Sequence, residues 1–198
     1  MASSLTLVTG NPKKVQAVLR HMRPFGVRVV HRKLPLVEPQ ADSVEEVALS
    51  KARQAFRMCQ DPILVEDSGF CINEFAGFPG PYTKYVLQTI GVGGLLNLAR
   101  DLSDRSCHFC SVLVYIDAEG RSHKFIDARG VGKLAVEADR SPCPEAWSDL
   151  WRIAIPEGVS VPLSALSPAE RRTILIEWAK ESVYSRFGSW YRARQELR

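Results

Sequence analysis

Three short stretches of this chain combine residue types and spacing that could do phosphate chemistry. The first is Thr9-Gly10-Asn11-Pro12-Lys13-Lys14, which follows the apolar run Leu5–Thr9. Asn11 suits a helix N-cap and Pro12 the first helical position. Lys13 and Lys14 then fall in the first turn, where the helix dipole prefers acids. An anion such as a triphosphate, bound by the free N–H groups there, would reverse that balance. The stretch is not a Walker A loop, because G-x-x-x-x-G-K-[ST] is missing. The second is Val65-Glu66-Asp67-Ser68-Gly69, where the short apolar strand Ile63–Val65 ends in two carboxylates. Charges so placed are costly unless paired or metal-bound. Mg²⁺ takes a few such oxygens and completes its shell with water and phosphate. The third is Gly77-Phe78-Pro79-Gly80-Pro81-Tyr82 with Lys84 beyond it. Its glycines allow close backbone approach and its prolines stiffen the loop. Each stretch alone also reads as a solvated turn or surface.

The elements that must position these residues follow from pattern. Val15, Val18, Leu19 and Met22 recur at helical spacing after the first motif, and Pro24-Phe25-Gly26 stops that helix. Val27–Val30 reads as a second strand. Ser43 with Glu46 is a capping box for a helix whose apolar side is Val44, Val47, Ala48, Ala52, Ala55, Phe56 and Cys59. A helix is predicted over Tyr82–Ile90, and another after the Gly91–Gly94 break, through Leu95, Leu96, Leu98 and Leu102. Strands near Cys107–Asp117 and His123–Arg129 are joined by the turn Ala118-Glu119-Gly120-Arg121. Residues 138–149 are irregular, Trp151–Ile155 reads as a last strand, and Ser167-Pro168-Ala169-Glu170 starts a helix running towards Arg186. Early alternation of strands and helices with a late hairpin predicts an α/β fold with a mixed sheet.

The composition suits that reading. The chain has 198 residues, 45% of them hydrophobic, enough for one domain over 1–198 with its own core. It excludes a wholly disordered chain and offers no apolar run of about 20 residues to span a bilayer. Met1–Ser4 and Leu5–Val8 lack the pattern of a signal peptide, so a cytoplasmic protein is expected. The net charge of +4 is uneven: residues 1–60 carry +6 and the remainder −2. A basic N-terminal third suggests a polyanionic ligand, a solvated basic face being the alternative. Five cysteines, an odd number, argue against a disulfide framework. Cys107 and Cys110 form a C-x-x-C, but on a strand they face opposite ways and no second pair stands at zinc spacing. They are expected to be unimportant for activity.

The three stretches together, with Leu34-Pro35-Leu36-Val37-Glu38 and Lys51-Ala52-Arg53, resemble the inosine/xanthosine triphosphate pyrophosphatase family, over roughly the first half of the chain. The resemblance implies an elongated mixed β-sheet with flanking helices and a central substrate cleft, usually in a homodimer. It implies hydrolysis of a nucleoside triphosphate to monophosphate and pyrophosphate with Mg²⁺. By the family pattern, Thr9, Gly10, Asn11, Lys13, Lys14 and Lys51 would hold phosphates. Glu38 and Asp67 would hold the metal, Asp67 also serving as base for the attacking water. Ser68 and Lys84 would contact substrate.

The second half departs from the family. Where Phe-Gly-aromatic-Asp is expected, Ala146-Trp147-Ser148-Asp149 stands. Trp147 can still stack on a base, and Asp149 keeps the carboxylate. Lys180 lies six residues before Arg186, as the family spacing wants, but Tyr184-Ser185-Arg186 replaces Ser-His-Arg. Loss of a group that reads the 6-keto edge of the purine would relax or redirect base choice. A second class is a non-catalytic nucleotide- or nucleic-acid-binding regulator that uses Arg192, Arg194 and Arg198. The metal carboxylates, which a binder does not need, favour the enzyme and make nucleic acid an unexpected partner.

Overall fold

The protein is described from a computed structural model over residues 4–196. Arg198 and the first three residues of Met1–Ser4 lie outside the described residues. One seven-stranded sheet runs through the chain. Its strands are β1 (Leu5–Val8), β2 (Val29–Arg32), β3 (Ile63–Ile72), β4 (Pro79–Gly80), β5 (Ser106–Ile116), β6 (Ser122–Leu134) and β7 (Ala154–Pro156). The order is β2-β1-β3-β5-β6-β7, with β4 paired to β3 off that path. β1 pairs parallel with β2 and β3, while β4 on β3 and β7 on β6 are antiparallel. The helices are α1 (Pro12–Met22), α2 (Val44–Cys59), α3 (Thr83–Thr89), α4 (Gly91–Leu98), α5 (Pro168–Lys180) and α6 (Val183–Glu196). The fold is therefore α/β with a mixed sheet and flanking helices, as expected. No described helix is long and apolar enough to cross a membrane.

The chain gathers into two compact units. One comprises Met1–Asp67, Ser111–Asp127 and Ala179–Arg198, as far as these are described. Its core joins Leu5 and Leu7 of β1, Val18 and Met22 of α1 and Leu64 of β3 to Val183, Tyr184, Phe187 and Tyr191 of α6. The other comprises Ser68–Cys110 and Ala128–Trp178. Its core is built on Phe70, Ile72, Leu95, Phe109, Trp151 and Ile153.

Local sequence explains most element ends. Asn11 caps α1 with Pro12 in the first turn, and Gly26 ends the following 3-10 turn in the left-handed region at φ 68°. Ser43 accepts from the Glu46 N–H at 3.1 Å, and the Glu46 carboxylate takes the Asp42 N–H at 3.3 Å. Ser167 and Glu170 form a reciprocal box at α5.

Six expectations are corrected. β3 does not end at Val65 but continues through Glu66-Asp67-Ser68-Gly69 to Ile72, because β4 pairs with it at Phe70–Gly80 and Cys71–Pro79. Leu19 is exposed, so the buried side of α1 is narrower than its spacing suggests. β2 begins two residues later than Val27. α4 starts at Gly91 itself. Trp151 belongs to a 3-10 turn, Asp149–Arg152, ahead of a β7 of three residues. The helical stretch towards Arg186 is also two helices: buried Ser182 donates to the Ala179 carbonyl at 2.9 Å and breaks the ladder between α5 and α6.

Candidate functional site

The first unit brings Lys14, Lys51, Glu38 and Asp67, four of the eight proposed phosphate and metal residues, into one ionic cluster. β1 delivers the chain to a turn held by its own side chains. Thr9 Oγ1 accepts from the Asn11 N–H at 3.1 Å, and Asn11 Oδ1 accepts from the Lys13 N–H at 2.9 Å. Thr9 is half-buried, while Gly10, Asn11 and Lys13 are exposed at this helix start. Lys14 turns inward, and its Nζ lies 2.9 Å from Glu66 Oε2 and 3.5 Å from Asp67 Oδ1. It also donates to the Glu66 carbonyl at 3.2 Å. The contact with Glu66 Oε2 is an ion pair by distance without hydrogen-bond alignment, which leaves that buried oxygen without a directional donor.

Lys51, from the middle of α2, reaches Asp67 Oδ2 at 2.9 Å and Glu38 Oε1 at 3.0 Å. Asp67 therefore meets one lysine at each carboxylate oxygen. The loop carrying Glu38 is positioned by the same helix. Gln54 Oε1 accepts from the Val37 N–H at 2.9 Å, and Gln54 Nε2 donates to the Val37 carbonyl at 2.8 Å. Three carboxylates against two ammoniums leave the cluster one negative charge. Burial pulls the Lys14 pKa down more than any other single influence. The fields and hydrogen bonds of Glu66 and Asp67 together outweigh it, so Lys14 stands above its ordinary 10.5. Lys51 is raised in the same way, burial being outweighed by Asp67 and then Glu38. Both lysines are firmly cationic.

The donor set fits a small hard cation. Glu38 and Asp67, from different elements, already converge on one positive centre, the Lys51 ammonium. Among the described residues no three His, Cys, Asp or Glu side chains cluster as an all-protein cage. Mg²⁺ itself needs only one or two carboxylates, phosphate and water completing the shell.

Other sequence-predicted residues lie in the second unit. Ser68 opens it and is exposed. Lys84 is exposed in the first turn of α3. That helix start is fixed by Thr83, whose Oγ1 accepts from the Phe70 N–H at 2.8 Å and donates to the Gly80 carbonyl at 2.7 Å. Gly77 takes φ 89°, a conformation that favours glycine. Trp147 is 47% exposed and stands edge-on to Phe109 and Trp151, with centroids at 4.9 and 5.8 Å. Asp149 is exposed at the head of its 3-10 turn.

The chain returns to the first unit at Ala179, at the end of α5. Lys180 ends α5 and is exposed. Arg186 donates to the Ile126 carbonyl, and Asp127 Oδ2 accepts from the Val183 N–H at 2.8 Å. The Ser185 hydroxyl donates to the Ala179 carbonyl at 2.7 Å. Of the arginines assigned to the binding alternative, Arg192 pairs with Glu196 at 3.0 Å, and Arg194 pairs with Asp117 at 3.1 Å and covers the Trp190 ring. Sequence reasoning gave Glu66 only the general requirement to be paired or metal-bound, and gave no role to Gln54 or Thr83. Glu66 had a signal in its adjacency to Asp67; the other two carry none, because their partners are distant in sequence.

In this α/β protein Lys14 and Lys51 meet Glu38, Glu66 and Asp67 in one ionic cluster beside the capped start of α1. The sequence profile of the Ham1 family matches residues 5–143, and the chain belongs to that family. It is 34% identical over 188 residues to the dITP/XTP pyrophosphatase of Thermococcus kodakarensis, covering 90% of this chain and 98% of that protein. It is 33% identical to the dITP/XTP pyrophosphatase of Methanopyrus kandleri, covering 93% and 94%. The fold matches the HAM1 protein of Coxiella burnetii with a TM-score of 0.77 at 19% identity, over 95% of this chain and 98% of that one.

Proposed function

We propose that the protein hydrolyses a nucleoside triphosphate to the nucleoside monophosphate and pyrophosphate, as one pyrophosphatase domain spanning residues 1–198. It is a hydrolase of nucleotide metabolism. The observation that carries the reading is the cluster of Lys14 and Lys51 on Glu66, Asp67 and Glu38, beside the capped start of α1. In this reading the exposed turn Thr9–Lys13 receives phosphate oxygens, and Lys13, Lys14 and Lys51 offset the charge that builds on them. Lys14 and Lys51 keep contact with the carboxylates while part of their charge turns to phosphate. Glu38 and Asp67 would hold Mg²⁺, which would supply Lewis-acid polarisation of the phosphate chain and of the attacking water. Asp67 orients the attacking water and accepts its proton. Ser68 and Lys84 contact substrate, Trp147 stacks on the base with Asp149 nearby in sequence, and Lys180 and Arg186 act on the nucleotide. A homodimer in the cytoplasm is the working form implied by the family resemblance.

The engagement of Arg192 and Arg194 within the chain weighs against the nucleic-acid-binding alternative. The deciding experiment follows products from a panel of triphosphates with Mg²⁺. Pyrophosphate and monophosphate in equal amounts are expected. Orthophosphate with diphosphate, or tight nucleotide binding with no turnover, would replace the proposal.

A further inference from the structure

We propose that Cys71 and Cys110 form a reversible dithiol/disulfide pair that responds to hydroperoxides. Cys71 lies on β3 and Cys110 on β5, strands adjacent in the sheet, and both belong to the second unit. Their sulfurs are 3.4 Å apart, within reach of a weak S–H···S bond. Closing the bond requires an approach of about 1.4 Å, within reach of side-chain rotation. Both residues are half-buried, so a small oxidant can reach them, whereas Cys107 is buried in the core. The sequence offers a different pair, Cys107 with Cys110. The strand turns those two apart, leaving Cys110 to meet a residue 39 positions away.

The pair is also polarised. Contact with Cys110 holds the Cys71 pKa below its ordinary value, against a smaller opposing effect of burial. The same contact and burial both raise Cys110. Burial pushes Cys107 up to about 12. We take Cys71 as the nucleophile. Its thiolate attacks one oxygen of the hydroperoxide. An S–O bond forms, the O–O bond breaks, and Cys71 becomes a sulfenic acid while hydroxide leaves and is protonated to water. The Cys110 sulfur then attacks the Cys71 sulfur. An S–S bond forms, the S–O bond breaks, and the departing hydroxide takes the Cys110 proton as water. Two electrons pass from the thiols to the peroxide, and a dithiol reductant returns them.

The test treats reduced full-length protein with a slight excess of hydrogen peroxide and maps its peptides without reduction. The expected result is one intrachain link between Cys71 and Cys110, with free thiols falling from five to three and recovering with dithiothreitol. Cys107→Ser should form the same link, and Cys110→Ser should hold Cys71 as a sulfenic acid trapped by dimedone. A Cys107–Cys110 link, a link between chains, or oxidation of Cys59 and Cys143 with the pair still reduced would overturn the proposal. If Cys110→Ser does not fold, iodoacetamide labelling of the wild type decides. Cys71 should react at least about 10-fold faster than Cys107, and equal rates would also overturn it.

Discussion

Asp67 carries the heaviest chemical assignment, and the structure shows what else it does. It holds Lys14 and Lys51, yet each lysine keeps another carboxylate, Glu66 or Glu38. Asp67→Asn should therefore cost only about 1–2 kcal/mol of stability. Turnover should fall about 10³-fold or more, since one change removes both a metal ligand and a base. Pyrophosphate release and thermal unfolding of the same preparation separate the two effects, and near wild-type turnover would remove Asp67 from the mechanism. Lys14 presents the opposite case. Lys14→Ala strands the Glu66 carboxylate, whose side chain is 3% exposed, and should cost about 3 kcal/mol. Glu66→Gln in the same chain should restore much of that. In this background, loss of the Lys14 charge should weaken triphosphate binding by about 10-fold or more, with monophosphate binding little changed. Isothermal titration with both ligands checks this, and equal losses would place Lys14 away from the phosphate tail. Asp67 and Lys14 were legible as candidates from residue type and neighbours. That both lysines serve Asp67 was not, because the pairing spans 53 and 16 residues.

At the scale of elements, polar residues misled where distant partners supply the missing stabilisation. Glu66-Asp67-Ser68-Gly69 looks like a turn because alternation lapses and charge appears. The strand continues because lysines from α1 and α2 neutralise it and β4 pairs beyond it. The β5–β6 hairpin was legible, and its turn holds a second buried carboxylate. Asp117, 1% exposed, accepts from the Glu119 and Arg121 N–H groups, from Arg121 Nε at 2.9 Å and from Arg194 Nη2 at 3.1 Å. His123 Nε2 lies 3.2 Å from it. Burial alone would raise its pKa. The Arg121 N–H, His123 and the Arg121 guanidinium overcome that and hold it at about 2, against 3.8 when unfolded. The unfolded chain then binds more protons between these values, so stability rises with pH across that window. Wild type should lose at most about 2 kcal/mol as pH falls from above 3.8 towards 2. Asp117→Asn should lack this limb of the curve, and urea titrations at successive pH values measure it. Parallel curves would show that Asp117 is not the group responsible.

Across the whole molecule, the family resemblance read from the sequence covers roughly the first half, and the family profile matches residues 5–143. It ends at residue 143, before Trp147, Asp149, Lys180, Ser185 and Arg186. In that region the α5–α6 break depends on the buried hydroxyl of Ser182, a residue that composition marks as ordinary surface. Base choice is the property most exposed to this divergence. Ser185 stands where the resembling family has His, and its hydroxyl donates to the Ala179 carbonyl at 2.7 Å. A group so engaged is shorter than imidazole, cannot become cationic, and makes a weak demand for a 6-keto oxygen. Trp147 contributes stacking, which every base can satisfy. Preference for inosine or xanthosine triphosphate over the standard nucleotides should therefore be weak or shifted to another base. The check is kcat/KM across inosine, xanthosine, adenosine, guanosine, cytidine and uridine triphosphates and their deoxy forms. The expected spread is below about 10²-fold, or some 2.7 kcal/mol of differential transition-state binding. A larger preference for the 6-keto non-standard purines would mean that another group in this chain reads the base edge, with neither Ser185 nor Trp147 setting the selectivity.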